Sequence, residues 1–166
     1  YKVDEHIGAT ASGMLSDGRV LIEKAQLVAQ QHRVTYDDTI GILNLVKDIC
    51  DMKQFYTQYG GARPFGVSIL FAGGNEHPQL YVTDPTGIFF EYKATAIGEG
   101  EAEIKEFLDK NYRENLNVED GIKLAVKALK KVLGKEFDIN RIDGAYISSK
   151  DKKFVRVTRD RLSKVA

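Results

Sequence analysis

Apolar residues along this chain follow two alternating periods, and the switches between them mark the predicted elements. Tyr1 to Ala11 reads as a strand. Asp17 to His32 then carries Leu21, Ala25 and Val28 at helical spacing, and Ser16-Asp17 offers side-chain oxygens to the unpaired amides of a first turn. A second helix is predicted from about Ile40 to Tyr56, where Leu43, Val46, Ile49 and Cys50 share a face and Thr39 stands as N-cap. The segment Val34-Thr35-Tyr36-Asp37 joins the two as a helical hairpin.

The period then changes to two. Phe65, Val67, Ile69 and Phe71 fall on one face, with the smaller Gly66, Ser68 and Ala72 and a lone Leu70 on the other. Gly73-Gly74-Asn75 and Asp84-Pro85-Thr86-Gly87 are turn sequences that set off strands at Gln79 to Thr83 and Ile88 to Tyr92. The meander is expected to continue through Ala94 to Ile97. Two further helices are predicted. Glu99 to Asn111 directs Ile104, Phe107 and Leu108 inward, and Val118 to Leu133 directs Ile122, Val126, Leu129 and Leu133 inward before Gly134 stops it. Ile142 to Ser148 and Phe154 to Val157 flank Ser149-Lys150-Asp151-Lys152 as a hairpin, and Thr158 stands where it can cap a last short helix. Helix hairpins alternating with antiparallel strands indicate an α+β fold, in which two helix pairs can cover the outer faces of stacked sheets.

Composition narrows the partners. The 166 residues fit one domain, and 43% hydrophobic content supplies a sizeable core. Lys+Arg and Asp+Glu both number 24, so the chain lacks the basic excess that a nucleic-acid partner attracts. Cys50 is the only cysteine, which rules out a disulfide within one chain and fits a reducing cytoplasm. No apolar run approaches the roughly 20 residues needed to cross a bilayer, so no membrane partner is expected. The chain opens on Tyr1 with strand pattern already under way, and it is expected to begin inside its fold, after an N-terminal helix and first strands.

The most informative stretch is Tyr56-Thr57-Gln58-Tyr59-Gly60-Gly61-Ala62-Arg63-Pro64-Phe65-Gly66-Val67-Ser68. It combines a helix end, a flexible Gly-Gly turn, a proline that fixes φ, and a strand. The run is similar to the signature of proteasome α-type subunits, and Tyr59-Gly60-Gly61 before Arg63-Pro64 resembles the archaeal form. Tyr92-Lys93-Ala94-Thr95-Ala96-Ile97-Gly98, Thr83-Asp84-Pro85-Thr86-Gly87, and Ala11-Ser12-Gly13 leading into Gly18-Arg19-Val20-Leu21 extend the likeness across nearly the whole chain, more weakly after Gly134.

That resemblance implies the four-layer αββα sandwich of N-terminal-nucleophile hydrolases, two antiparallel sheets between helix pairs, with residues 1–166 forming a single α-type domain. It implies a non-catalytic subunit without cofactor, in a cytoplasmic heptameric ring that gates a threonine-type endopeptidase. The implied partners are other α subunits, β subunits, an activating ATPase and unfolded protein in transit. By position, the resemblance assigns Tyr59, Gly60, Gly61 and Ala62 to the pore entrance, and Gly13 and Met14 to the pocket for the activator's C-terminal tail. The alternative is a catalytic β-type threonine peptidase, which needs a Thr, Ser or Cys at its mature N-terminus.

Other candidate chemistry is thin. Gly98-Glu99-Gly100 lacks the third glycine and lysine of a phosphate loop and is ringed by Glu101 and Glu103. His6, His32 and His77 have no partners at metal-ligand spacing. Asp37-Asp38 and Glu119-Asp120 sit near helix starts, where carboxylates complement the dipole. Lys150, Lys152, Lys153, Arg156 and Arg159 interleave with acids and read as a solvated face.

Overall fold

The alternation of Val67, Ile69 and Phe71 with Ser68, Leu70 and Ala72 builds the middle strand of the molecule. In the computed structural model, which describes residues 1–165, this strand is β3 (Val67–Gly73), and its odd positions are buried throughout. Around it lie β1 (Lys2–Asp4), β2 (Ile7–Gly13), β4 (Gln79–Thr83) and β5 (Phe89–Glu91), an antiparallel sheet ordered β1-β2-β3-β4-β5. Ile7 faces Gly73 and Gly13 faces Val67 across the β2–β3 ladder, while Ile69 faces Thr83 across β3–β4.

Helices α1 (Leu15–Tyr36) and α2 (Ile42–Gln58) pack against one face of this sheet. Leu21, Ile22, Ala25 and Ala29 of α1 and Leu45, Val46, Ile49 and Cys50 of α2 close over Ile7, Val67, Ile69 and Phe71 as one apolar cluster. The other face of β2 opposes a two-stranded sheet, β6 (Ala145–Ile147) with β7 (Phe154–Arg156). There the Phe154 ring lies so close to Gly8 that a Cβ would fall 2.8 Å from it, and the Phe154 amide donates to the Glu5 carbonyl at 2.6 Å. A cleft of about 1290 Å³ runs beside this contact, lined by Thr10, Leu70 and Ala72 on one side and Tyr146, Phe154 and Arg156 on the other.

Helices α3 (Glu101–Asn111) and α4 (Val118–Leu133) form a second hairpin, with Val132 filling the space over Gly100. Arg161, in α5 (Arg159–Val165), pairs with Glu119 of α4 and lies 4.8 Å over the Tyr146 ring of β6. Burial is shallower here than around α1 and α2. Of the inward positions predicted on α3 and α4, Leu108 and Val126 are buried, while Leu133 is exposed. The chain is thus mixed α and β, with two antiparallel sheets and, among the described residues, five α-helices.

Five expectations need correction. Val34-Thr35-Tyr36 is the last turn of α1 rather than a link, because the helix stops only at Asp37, whose φ is 53° and whose amide bonds to the Arg33 carbonyl at 2.9 Å. The single strand from Tyr1 to Ala11 is a hairpin, because the Asp4 carboxylate accepts from the Glu5 amide at 2.7 Å and turns the chain without glycine or proline. Ser16-Asp17 does not cap α1, which begins after Met14 with no side-chain cap, since the Asp17 carboxylate is engaged elsewhere. Thr39 does not cap α2; Gly41 holds that position, and the Thr39 hydroxyl accepts from the Asn75 amide at 3.2 Å. Ala94 to Ile97 is irregular rather than a strand. Its partner has run out, because the Tyr92 amide already bonds to Leu80, one residue from the start of β4. The last position of the predicted domain, Ala166, lies outside the described residues.

One buried charge joins α2 to the sheet. Lys53 is 0% exposed, and its ammonium donates to the Val67 carbonyl at 3.0 Å, the Thr83 hydroxyl at 2.8 Å and the Asp84 carbonyl at 3.0 Å. Three acceptors match the three protons of a charged amine. Burial nevertheless pulls its pKa from 10.5 down to about 8, with Cys50 and Asp84 opposing the shift. Between those values the unfolded chain binds more protons than the folded one, so folding strengthens as pH rises through that window and the gain is absent below about 8. Lys53→Met orphans the three acceptors and is expected to cost about 1–3 kcal/mol at neutral pH. Urea unfolding of both proteins at pH 7 and pH 10 should show the wild type gaining on the variant at the higher pH. An equal difference at both would mean that burial does not depress the amine.

Candidate functional site

Helix α2 ends without a left-handed glycine cap. Its C-cap Tyr59 is extended, with its amide bonded to the Phe55 carbonyl at 3.1 Å and its ring stacked on Phe55 at 5.3 Å. The chain then reverses through Gly60 and Gly61. Gly61 has φ of 89°, the value that the third position of a type II turn requires, and the Ala62 amide reaches back to the Tyr59 carbonyl at 3.4 Å. A Cβ at Gly60 or Gly61 would meet nothing within 4 Å. Tyr59, Gly60, Gly61 and Ala62 therefore form an exposed projection that touches little beyond itself.

The chain is caught again immediately afterwards. Arg63 Nη1 and Nη2 donate to the two Asp17 carboxylate oxygens at 2.7 and 2.8 Å, a bidentate fork that fixes orientation as well as distance. Arg63 Nη1 also reaches the Pro64 carbonyl at 3.0 Å. The Phe65 ring packs edge-on against Tyr56 at 4.9 Å and brings the strand under α2. Asp17 is only 7% exposed and also accepts the Gly66 amide at 2.8 Å. The Arg63 bonds, and after them the Gly66 bond, hold its carboxyl down at about 2, against an ordinary 3.8.

Gly13 and Met14 meet the same corner from the other side. The Met14 amide donates to the Gly66 carbonyl at 2.8 Å, and the Met14 sulfur covers Gly66, where a Cβ would come within 2.8 Å of it. Gly13 has φ of 122°, and a Cβ there would fall 2.4 Å from the Gly66 carbonyl oxygen. Gly13 is thus required by the backbone, whereas Met14, 47% exposed, presents a free side-chain surface. The two predicted groups share this corner through Asp17, Arg63 and Gly66. From the sequence alone Asp17 is a candidate helix cap and Arg63 only part of a motif. A signal was present, since Asp17 precedes Leu21 and Ala25 at steps of four on the buried stripe of α1.

Residues 1–147 match the family model described as proteasome subunit, and the chain belongs to that family. Within it the likeness is to α-type subunits. The chain is 48% identical over 162 residues to proteasome subunit alpha of Archaeoglobus fulgidus, covering 98% of this chain and 66% of the relative. It is 46% identical over 164 residues to proteasome subunit alpha of Thermococcus sibiricus, covering 99% and 63%, and 45% identical to that of Pyrococcus horikoshii over the same shares. The chain therefore spans a little under two thirds of the length of these curated relatives.

Two outcomes test this geometry. Gly13→Ala should destabilise the fold by about 1–3 kcal/mol through backbone strain, whereas Gly60→Ala should stay within about 0.5 kcal/mol, both read from denaturant midpoints. Because the folded-state pKa of Asp17 lies below its ordinary value, its stabilisation is complete above about pH 3.8 and is lost as pH falls toward about 2. In acid titrations of unfolding, Asp17→Asn should remove part of that slope; an unchanged slope would mean the pair carries no folding energy.

Proposed function

We propose that this chain is the body of a non-catalytic α-ring subunit of the proteasome core particle. In this reading its 59–62 loop borders the substrate entrance, and Gly13 and Met14 form part of the pocket for an activating ATPase's tail. The observation that carries this reading is the loop itself. It projects from the end of α2, holds no neighbour within reach of Gly60 or Gly61, and is anchored firmly at its exit through Arg63. Repeated around a ring, such a loop narrows an opening without filling it. An extended chain passes and a folded domain, far wider, does not. Selection by size needs no binding chemistry at these four positions.

The finer architecture belongs to the same reading. With α1 and α2 against one face of the first sheet, two sheets meeting at Gly8 and Phe154, and α3 and α4 paired as a second hairpin, we read the layers as a four-layer αββα sandwich. The partners are further copies of the chain in a heptameric ring, β subunits that supply the threonine nucleophile, the activator, and unfolded protein in transit. Among the described residues no helix is long and apolar enough to cross a membrane. In this reading the particle works in the cytoplasm.

In assembled particles with the terminal gate removed, Gly60→Trp is expected to slow degradation of an unfolded protein several-fold while tripeptide hydrolysis falls far less. Matched rates for both substrates in wild-type and variant particles would remove residues 59–62 from the entrance.

A further inference from the structure

The Asp17–Arg63 pair belongs to neither proposed site and is bonded toward both. We propose that Asp17 and Arg63 are positioning residues that tie the entrance loop to the floor of the activator pocket, so that one ion pair sets the geometry of both; this rests on the function proposed above.

The 59–62 loop cannot orient itself. Its internal bond is long, at 3.4 Å, and a Cβ on either of its two glycines would meet nothing within 4 Å. Its aim is set at its ends, by the Tyr59 stack on α2 and by Arg63. The Arg63 side chain is 58% exposed, and an exposed ion pair ordinarily contributes little. This pair differs because its acceptor is nine-tenths buried and takes both prongs of the fork, one on each oxygen.

From Asp17 the path closes in two steps. The carboxylate that holds Arg63 also holds the Gly66 amide, and the Gly66 carbonyl holds the Met14 amide. Met14 stands three residues before Asp17, so these two hydrogen bonds and the intervening backbone close a ring. A ligand that presses on Met14 moves Gly66 or breaks its bond. Either event reaches the carboxylate that aims the loop. Asp17 is committed to this ring rather than to its own helix, whose first turn has no side-chain cap.

Arg63→Lys keeps the charge and removes the fork, and Asp17→Asn keeps an acceptor for Gly66 and removes the charge. Both are made in the assembled particle, with assembly checked on native gels, and either one suffices if the other fails to assemble. Two quantities are read: the ratio of unfolded-protein degradation to tripeptide hydrolysis, and the activator concentration giving half-maximal stimulation. Gly60→Trp and Met14→Glu serve as single-site references. The expected result is that the ion-pair variants shift both quantities by about threefold or more, the scale of modulating substitutions, whereas each reference shifts mainly its own. A merely structural staple would lower the unfolding midpoint and leave both quantities at wild-type values, which overturns the proposal. If the references shift and the ion-pair variants do not, the tie alone is wrong. If the references themselves are silent, the site reading fails and the tie fails with it.

Discussion

A charged amine with no access to water stands between α2 and the sheet, and much of the structure is arranged to keep it satisfied. Lys53 spans a helix, the start of β3, the end of β4 and the turn after it, so those four pieces share one spacing. Opposite it, Gly87 lets that turn approach the helix so closely that a Cβ would sit 2.6 Å from the Cys50 carbonyl oxygen. A bulkier residue would lift the turn, and the ammonium would lose its Asp84 partner. An uncompensated charge in the interior is far more expensive than a lost contact. The direction of α2, and therefore the place where its C-terminus delivers the 59–62 loop, follows from this local satisfaction.

Elements whose cause is local were legible in the sequence. The two-residue period at β3, the bounds of β4 between turn sequences, and the start and stop of α4 at Val118 and Leu133 all follow from residues within a few positions. What was not legible is governed by partners far along the chain. Asp17 looks like a cap until Arg63, 46 residues later, is seen to hold it, and Thr39 looks like a cap until Asn75 intervenes. Lys53 falls on the Val46, Ile49 and Cys50 stripe of α2, a placement that shows burial but not the three oxygens awaiting it. Ala94 to Ile97 has strand-forming residues and lacks only a strand to pair with.

The candidate sites divide in the same way. The Gly60-Gly61 turn is written in its own residues, and the chain does turn there. Gly13 and Met14 were marked by position alone, and the reason they lie together emerges only from the close approach to Gly66. Gly13 is required by the backbone, whereas Met14 covers Gly66 with its sulfur and leaves about half of itself exposed. A pair of adjacent residues thus holds two unlike roles that no sequence pattern separates.

The two glycines of the turn are also unlike. Gly61 is held at a φ that disfavours any side chain, while Gly60 is not and has open space around it. Position 60 is therefore open to drift. Lineages can enlarge, shrink or charge that spot without disturbing the core, the ladder or the ion pair beside it. A trait that can vary independently of folding is one on which selection acts cheaply. If the loop borders an entrance as proposed, its selectivity is free to diverge between species faster than the body that carries it.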